Sequence, residues 1–243
     1  MKPVIVTAAT PREIDILLSG LEGRERLHMR GCDAYRGELR GRPAVLAVTG
    51  IGKVNTAAGV AALLERYDPE ILINTGCAGA YRSSALAVGD LAIATMDLFG
   101  DEGVLTPDGW HGMERIGIPV IEKHGECFFN TFPLTRWGLD KAAYVAAEAG
   151  ISLRSGPFVT VSTVSGTTAR GDELSLRFNG ICESMEGAAA AQAALIFGVD
   201  CLELRGISNL VEDRDLSRWN ITLAVERAQN FLLRFVESLV VSY

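Results

Sequence analysis

Short apolar runs alternate along the chain with segments in which apolar residues recur every three or four positions. Runs of four to eight residues rich in β-branched side chains are typical of buried strands, and the second spacing is typical of amphipathic helices. The predicted strands are Val4–Ala8, Cys32–Leu39, Ala44–Thr49, Ile71–Thr75, Asp90–Asp97, Phe158–Val164, Gly180–Ser184 and Cys201–Ile207. The predicted helices are Arg12–Gly20, Asn55–Tyr67, Thr135–Ala149, Gly187–Phe197 and Ile221–Val240.

Most of the predicted strands are apolar along their whole length rather than at every second position. Strands of this kind are buried on both faces, as in parallel sheets that helices cover. No linker, repeat or change of composition divides the chain. We therefore expect one α/β domain over residues 1–243, a three-layer α/β/α structure with a mixed, mainly parallel central sheet. In such sheets ligands bind beyond the carboxyl ends of the strands.

Residues 99–133 break this alternation. The segment is rich in glycine, proline and aromatic residues and shows little periodicity. A long irregular stretch within a domain is usually functional or an inserted flap, and we expect one of these two here.

Composition and charge exclude several classes of partner. The chain has a formal net charge of −7 and no run of lysine or arginine, whereas nucleic-acid binding requires basic stripes. Its first apolar stretch is about five residues long, shorter than the ~7–15 of a signal peptide or the ~20 of a membrane-spanning helix. We therefore expect a cytoplasmic protein with neither nucleic acid nor membrane as a partner.

The cysteines and histidines indicate no metal site. The five cysteines form no CxxC pair, and the three histidines share neither HxH nor HxxxH spacing. Zinc sites use such spacings. Unpaired thiols in odd number are typical of reduced and mostly buried cysteines.

Charged and amide side chains stand at the ends of several predicted strands, where a ligand would bind. Glu13 follows the first strand and Glu186 follows the seventh, while Arg205 and Asn209 close the eighth. A carboxylate there can accept two hydroxyl groups, which suits a ribose diol. Acidic residues at a helix start also complement the helix dipole, so both explanations stay open for Glu183 and Glu186. Burying an arginine or an asparagine is costly without partners, which favours a functional role for Arg205 and Asn209.

Two glycine-containing turns are weaker signals. Gly50–Lys53 follows a strand and opens a helix, which suits phosphate binding, but it lacks the GxxxxGK[ST] spacing and a structural turn is favoured. Asn74–Gly79 places two glycines beside a strand end. They allow either close approach of a ligand or a simple bend of the chain.

Five segments, taken in order, resemble the nucleoside phosphorylase/nucleosidase superfamily, which includes methylthioadenosine/adenosylhomocysteine nucleosidase. The segments are Val4–Glu13, Gly50–Val54 (GIGKV), Ile73–Gly79 (INTGCAG), Met185–Gln192 (MEGAAAAQ) and Arg205–Asn209 (RGISN). Each is weak alone, but together they are specific and span nearly the whole chain.

Within the superfamily the chain is most similar to the futalosine hydrolases, on two further stretches. These are Phe99–Gly103 with Thr106 and Pro107, and Ser208–Asn209 followed by Arg214, Asp215 and Trp219. The resemblance implies hydrolysis of futalosine to hypoxanthine and dehypoxanthine futalosine in an alternative menaquinone pathway. It implies no metal or organic cofactor, a small purine nucleoside as substrate, and a homo-oligomer that is a dimer or larger.

The resemblance also implies roles for individual residues. Glu13 orients and deprotonates the attacking water, Glu186 binds the ribose hydroxyls, and Arg205 lies near the water. Asn209 stands where the adenine-specific members have an aspartate, and Cys77 stands where many of them have a serine. The other residues expected to bind the substrate are Gly52, Ala78, Gly79, Val164, Met185 beneath the sugar, Ser208 and Phe99.

Residues 99–133 are implied to cover the 5′ side of the sugar, where futalosine carries a keto-linked benzoate. The expected aromatic wall consists of Phe99, Trp110, Phe128, Phe129 and Phe132. The partner of the carboxylate stays open among His111, Arg115 and others. Part of this segment is expected to reach a neighbouring subunit, as in the dimers of the family.

Two departures from the family pattern favour one subtype. Phosphorylases of the superfamily carry a phosphate-binding arginine where this chain has Asn74, and a carboxylate at Glu13 repels phosphate while activating water; Arg12 is a possible exception. Asn209 cannot protonate adenine at N7, but its amide can donate to O6 and accept from N7–H of a 6-oxopurine. The alternatives are an adenine-releasing nucleosidase acting on methylthioadenosine, adenosylhomocysteine or aminodeoxyfutalosine, a phosphorylase, and a noncatalytic nucleoside-binding protein.

Overall fold

The structure, a computed structural model that describes residues 1–240, alternates strands and helices along most of the chain. Its strands are β1 (Val4–Ala8), β2 (Leu21–Leu27), β3 (Asp33–Leu39), β4 (Arg42–Val48), β5 (Ile71–Ala80), β6 (Leu91–Phe99), β7 (Val104–Thr106), β8 (Gly109–His111), β9 (Ile121–Lys123), β10 (Glu126–Phe128), β11 (Thr131–Pro133), β12 (Leu153–Thr160), β13 (Cys182–Ser184) and β14 (Cys201–Leu210). Its helices are α1 (Asp15–Ser19), α2 (Lys53–Arg66), α3 (Arg136–Glu148), α4 (Thr168–Phe178), α5 (Gly187–Phe197) and α6 (Ile221–Ser238).

Ten strands form one mixed sheet, in the order β11-β6-β12-β13-β5-β1-β4-β3-β2, with β14 paired to both β5 and β6. The α/β class with a mixed central sheet is thereby confirmed. Parallel pairings join β1 to β4 and β5, β12 to β6 and β13, and β14 to β5. They make up half of the pairings in this sheet. Because β14 lies against both β5 and β6, the strands β6, β12, β13, β5 and β14 form a closed circuit.

Helices cover both faces of the sheet, and β1 shows how the sequence specifies this. Ile5 packs in a buried cluster with Leu63 of α2 and with the alanines of α5. Val4 and Val6 point to the opposite face and pack in a second cluster with Phe235 of α6. Side chains of a strand alternate between faces, so a continuously apolar strand serves two cores at once.

Strands β5 and β14 place two of the predicted segments side by side. In their parallel register Arg205 pairs with Gly76, and Asn209 pairs with Gly79. The sequence predicts that the first of these strands ends at Thr75, but it continues through both glycines to Ala80. The strand continues because β13 and β14 both supply backbone hydrogen-bond partners there. Strand propensity, which depends on the local sequence, does not predict such partners.

The predicted helix over Arg12–Gly20 is replaced by two shorter pieces. A 3₁₀ turn covers Pro11–Glu13 and α1 begins at Asp15. Thr10 caps the turn in a capping box with Glu13, and proline occupies the first position. The two pieces are separated at Ile14, whose φ of −134° and ψ of 11° lie outside the helical region.

The sequence pattern misses β2 and α4. Only the first and last residues of β2, Leu21 and Leu27, are buried, so the strand lacks an apolar alternation. The helix α4 starts at the cap of Thr167, whose hydroxyl accepts a hydrogen bond from the Arg170 N–H. Its buried face is narrow, which removes the periodic signal. Within residues 1–240, no helix has the length and the apolar character needed to cross a bilayer.

Candidate active site

A cavity of about 550 Å³ opens beyond the ends of β1, β5, β13 and β14. Ligand cavities of proteins commonly have this size and this place in α/β folds. The predicted site residues that line it are Glu13, Cys77, Ala78, Gly79, Val164, Met185, Glu186, Ser208 and Asn209. The structure therefore brings most of the predicted residues together, while their roles stay predictions.

The Glu13 carboxylate is held by three donors. Its Oε2 accepts hydrogen bonds of 2.9 Å from both the backbone N–H and the hydroxyl of Thr10. Its Oε1 accepts one of 3.0 Å from the backbone N–H of Cys77. The side chain is only 6% exposed. Three donors fix an acceptor-only carboxylate in one orientation, with its charge at the cavity wall.

Gly76 leaves room for the side chains of Glu13 and Arg205. A Cβ at this position would overlap Glu13 Oε1 and would lie 2.8 Å from Arg205 Nη1. Its backbone, with φ of 153°, also lies in the region that favours glycine. The glycine thus makes room for two side chains, whereas the sequence offered only close approach of a ligand or a simple bend of the chain.

Arg205 is buried behind the cavity rather than in its wall. Its Nε donates to Glu203 Oε1 at 2.8 Å, and its Nη2 donates to Asn74 Oδ1 at 2.5 Å. Its Nη1 lies 3.5 Å from Glu186 Oε2. Burial alone lowers the pKa of Arg205, but the neighbouring glutamates, Glu203 first, outweigh burial and raise it. The cation is therefore retained without contact to bulk water.

Glu186 is anchored by the turn that precedes α2. The backbone N–H of Gly52 donates a 2.9 Å hydrogen bond to Glu186 Oε1. Gly52 adopts a φ of 91°, which only glycine takes up readily. Burial raises the pKa of the Glu186 carboxyl, and Arg205 and the Gly52 N–H offset part of that rise. The turn thus positions a carboxylate, and this N–H is not free to bind phosphate.

The Glu183 carboxylate has different hydrogen-bond partners from that of Glu186. Its Oε1 accepts a hydrogen bond from the Ser165 N–H at 2.8 Å, and its Oε2 accepts from the hydroxyls of Ser165 and Tyr81 at 2.7 and 3.2 Å. Both oxygens are engaged with the protein, although the side chain borders the cavity. Of the two glutamates, Glu186 is the one placed beside Arg205 at the cavity.

Asn209 has a defined amide orientation. The Ser208 hydroxyl donates to Asn209 Oδ1 at 2.7 Å, and Asn209 Nδ2 donates to the Leu210 carbonyl at 3.0 Å. A carbonyl oxygen can only accept, so the amide nitrogen must face Leu210. The second N–H and the second lone pair of Oδ1 are left for a ligand. Gly79 leaves room for this amide, because a Cβ there would lie 3.1 Å from Nδ2.

Cys77 contributes a neutral thiol to the cavity wall. Burial first, and then the charge of Glu13, raise the pKa of Cys77 to about 11. The thiol is therefore protonated at neutral pH and is not a nucleophile. Its backbone, through the N–H bound by Glu13, is the part that the geometry uses.

Phe99 differs from its expected place at the substrate. Its ring is 3% exposed and packs edge-on against Phe132 at a centroid distance of 5.4 Å. The Lys53 ammonium lies 4.6 Å from the ring centroid and is paired with Asp101 and Glu102. Residues 99–133 contribute none of the residues that line the cavity of this chain. The expected aromatic wall is therefore absent within residues 1–240, and its residues pack elsewhere.

Two tryptophans differ in their place relative to the cavity. Trp110 packs edge-on against Phe178 of α4 at 5.6 Å and lies under Arg177. Trp219, in contrast, lines the cavity together with Arg12 and Arg214. From the sequence, Arg214 and Trp219 were noted only as part of the similarity to the futalosine hydrolases. Their place after a strand-end asparagine was the signal that they belong to the site.

A metal site is not formed by the described residues. Within residues 1–240, no group of three or more His, Cys, Asp or Glu side chains could hold a metal ion. The side chains at the cavity instead offer hydrogen-bond donors, one amide and three carboxylates, of which Glu183 is engaged with the protein.

Several known proteins are similar to this chain in sequence. The family model described as the phosphorylase superfamily matches residues 3–237. A 5′-methylthioadenosine/S-adenosylhomocysteine nucleosidase of Halalkalibacterium halodurans is 31% identical over 211 residues, which cover 86% of this chain and 86% of that protein. A futalosine hydrolase of Acidothermus cellulolyticus is 33% identical over 240 residues, which cover 95% of this chain and 88% of that protein.

Solved structures share the fold. A 5′-methylthioadenosine/S-adenosylhomocysteine nucleosidase of Neisseria meningitidis, in complex with methylthio-immucillin-A, superposes with a TM-score of 0.85 at 24% identity, covering 98% of this chain and 100% of that one. A futalosine hydrolase mutant of Helicobacter pylori superposes with a TM-score of 0.84 at 20% identity, with the same coverage. At these identities the likeness concerns the fold alone.

Proposed function

Because the chain belongs to the phosphorylase superfamily and is a nucleosidase that hydrolyses N-glycosidic bonds, we propose that its substrate is futalosine. The products are then hypoxanthine and dehypoxanthine futalosine, as in the menaquinone pathway that uses futalosine. Asn209 is the observation that carries this choice. The reaction itself is assigned to Glu13, Glu186 and Arg205.

The amide of Asn209 suits a 6-oxopurine. Its nitrogen faces Leu210, so one N–H is free to donate to O6 and the free lone pair of Oδ1 can accept from N7–H. An amide cannot release a proton, whereas adenine leaves best when N7 receives one. Hypoxanthine is the better leaving group and needs less acid assistance. This preference supports futalosine over adenine nucleosides.

Water rather than phosphate is the proposed nucleophile. The position that bears a phosphate-binding arginine in phosphorylases is Asn74, which is 1% exposed and hydrogen-bonded to Thr7 and Arg205. Glu13 places a fixed carboxylate at the cavity wall, and this charge repels an anion. It can accept a proton from water at that point.

In the proposed mechanism the bond between C1′ and the purine nitrogen breaks first, and the electron pair leaves with hypoxanthine. Positive charge develops on the sugar next to the Glu186 carboxylate, which grips the 2′ and 3′ hydroxyls. A water held by Glu13 forms the new bond to C1′ and gives its proton to the Glu13 carboxylate. N7 of the departing hypoxanthine takes up a proton from solvent as the bond breaks, which supplies the N7–H that Asn209 Oδ1 accepts. Glu13 loses its proton to solvent before the next turnover.

The 5′ group of the substrate is assigned to a part of the cavity that the sequence did not predict. Arg214 lies 5.0 Å from the centroid of the Trp219 ring, and Arg12 is hydrogen-bonded to Thr222. Among residues 1–240, neither guanidinium forms an ion pair with a carboxylate. An indole face with two unneutralised arginines fits an aromatic carboxylate, which futalosine carries and methylthioadenosine does not.

An adenine-releasing nucleosidase is the second candidate function. Relatives named 5′-methylthioadenosine/S-adenosylhomocysteine nucleosidase reach 31% to 33% identity over 86% of this chain. That identity equals the identity to the futalosine hydrolase of Acidothermus cellulolyticus, which spans more of the chain. Overall sequence identity therefore does not distinguish the two candidate functions. The residues near the purine base and near the 5′ group decide between them.

The proposal includes assembly into a homo-oligomer in the cytoplasm. Within residues 99–133, Leu105 is 80% exposed and Ile118 is 66% exposed. Exposed apolar side chains of this kind suit a subunit interface. This segment can then approach the cavity of a neighbouring subunit, although it does not line its own.

Futalosine and aminodeoxyfutalosine give a matched test of this assignment, since they differ only in the group at C6. We expect hypoxanthine release from futalosine with a kcat/KM at least about tenfold above that for adenine release, because the site lacks an acid for N7. Arg214→Ala should raise KM for both substrates, and Arg218→Ala, a nearby exposed arginine paired with Glu212, should not. Equal or preferential adenine release would establish the second candidate.

A further inference from the structure

Two buried carboxyl groups, Asp97 of β6 and Glu203 of β14, face each other under the start of α5. Asp97 is 0% exposed and Glu203 is 1% exposed. A Cβ on Gly187 would overlap Asp97 Oδ2 and Glu203 Oε2 at the same time. The two oxygens therefore lie within about 4 Å of each other. Gly187 directly follows Glu186, so the pair lies immediately beneath the proposed active site.

The facing oxygens lack donors, while the outer oxygens have them. Asp97 Oδ1 accepts hydrogen bonds from the Thr160 hydroxyl at 3.0 Å and from the Leu98 N–H at 2.6 Å. Glu203 Oε1 accepts from Arg205 Nε at 2.8 Å. Among residues 1–240, Asp97 Oδ2 and Glu203 Oε2 receive no hydrogen bond. Two ionised carboxylates in this position would repel each other in a dry interior, whereas one proton between them satisfies both oxygens.

We propose that Asp97 and Glu203 share one proton, and that the single negative charge of this pair neutralises Arg205 and leaves Glu186 as an uncompensated carboxylate for the sugar cation. Asp97 and Glu203 are then positioning residues, since they act on the substrate only through Arg205 and Glu186. The inference rests on the proposed role of Glu186 in the nucleosidase reaction.

Asp97 is the member of the pair that holds the proton. Glu203 touches the Arg205 guanidinium, which favours its ionised form. Asp97 has only a hydroxyl and one backbone N–H as partners. Burial, and then the charge of Glu203, raise the pKa of Asp97 well above its usual range. The thiol of Cys182 on β13 also faces the pair, and burial raises its pKa well above its usual value, so it adds no charge.

Arg205 transmits the charge of the pair to the active site. Its Nε contacts Glu203 at 2.8 Å, whereas its Nη1 lies farther from Glu186, at 3.5 Å. The charged groups that act most strongly on Glu186 are Arg205, then Glu13 and Glu203. When Glu203 keeps its charge, Arg205 is mostly compensated and stabilises the Glu186 anion only weakly. A Glu186 carboxylate that Arg205 does not neutralise interacts more strongly with a cation that develops beside it.

Two variants separate the charge of the pair from its shape. In Asp97→Asn the amide nitrogen can donate to Glu203 Oε2 while the amide oxygen keeps the Thr160 and Leu98 contacts, so the negative charge beside Arg205 is retained. In the double variant Asp97→Asn/Glu203→Gln the charge is gone and the shape is kept. The oxygen of the amide at position 203 still accepts from Arg205, and the amide at position 97 turns over so that its oxygen accepts from the nitrogen at position 203, which gives up the Leu98 contact. The pH dependence of kcat/KM and the values of kcat and KM are measured for both, with thermal melting as the check on folding.

We expect the double variant to shift the acid limb of kcat/KM downward by about one pH unit, because Arg205 then stabilises ionised Glu186. Its kcat should fall about tenfold or more with little change in KM. The single variant should keep the acid limb at its wild-type position. An unchanged acid limb in a folded double variant would overturn the proposal, and so would equal shifts in the two variants.

Infrared spectroscopy tests the shared proton without substrate. The difference spectrum of the wild-type protein minus Asp97→Asn at neutral pH should contain the C=O stretch of a protonated carboxyl group. Absence of this band would overturn the proposal even if the enzyme is active. If the band is present and no nucleoside is hydrolysed, the pair stands and the proposed function fails.

Discussion

The backbone N–H of Cys77 donates a 3.0 Å hydrogen bond to Oε1 of Glu13, and this contact joins the loop after β1 to the glycine-containing part of β5. The second oxygen of Glu13 is bound by both donors of Thr10. The carboxylate is thus oriented before any ligand arrives. Preorganised groups contribute to catalysis because they need not reorient during the reaction.

Glu13→Gln removes the proposed base and keeps its size. The amide cannot take a proton from water, and its nitrogen cannot accept the hydrogen bonds that Thr10 or Cys77 donate. We expect kcat to fall by ~10²–10⁴-fold, measured as base release under saturating substrate. The control is Glu38→Gln on the exposed side of β3, which should keep wild-type turnover. Near-normal turnover of a folded Glu13→Gln protein would assign the base elsewhere.

Asn209→Asp introduces an acid beside N7 of the purine. It should improve adenine release and weaken hypoxanthine release, since a carboxylate repels O6 of a 6-oxopurine. We expect the ratio of kcat/KM for futalosine over aminodeoxyfutalosine to fall about tenfold or more. Asn230→Asp, on an exposed position of α6, is the matched control. A ratio that does not change in Asn209→Asp contradicts the assignment of the base.

Gly187→Ala should be strongly destabilising. The added methyl group would overlap the carboxyl oxygens of both Asp97 and Glu203, and overpacking of a rigid interior costs about 1–3 kcal/mol. Gly166→Ala is the control, because a Cβ there meets nothing within 4 Å. Urea unfolding of both variants gives the difference. Equal stability of the two would show that the carboxyl pair can move apart freely.

The stability of the protein should depend on pH through Asp97. The pKa of Asp97 is raised in the folded state, so the folded protein binds this proton more tightly than the unfolded chain, whose aspartate titrates near ~3.9. The resulting stabilisation is complete below that pH and is lost as the pH rises towards the folded pKa. Relative to Asp97→Asn, the wild-type free energy of unfolding should fall by up to about 1.4 kcal/mol per pH unit. A pH-independent difference between the two proteins contradicts this account.

Much of the fold was predictable because its core strands are continuously apolar. The strand Val4–Ala8 and the helix Gly187–Phe197 have the predicted bounds. The site residues at strand ends were predictable for the same reason, since a charged residue after an apolar run stands out. Glu13, Glu186 and Asn209 all line one cavity, as strand ends in such a sheet should.

The rest depended on contacts between distant segments. The glycines of β5 remain in the strand because β13 and β14 flank them, and no local pattern encodes those partners. Phe99 was expected at the substrate from its place in an irregular segment, but Phe132 and Lys53 enclose it. Asp97 and Glu203 did carry a signal, because each is an acidic residue within an apolar strand. Only their juxtaposition shows that they form a pair.

The most direct test of the account is base release by the purified protein, followed by chromatography. The substrates are futalosine, aminodeoxyfutalosine, methylthioadenosine and inosine, each with and without phosphate. The account predicts hypoxanthine from futalosine at a rate that phosphate does not change, and little base from the other three. Adenine release, a rate that requires phosphate, or tight binding of futalosine without any product would contradict it.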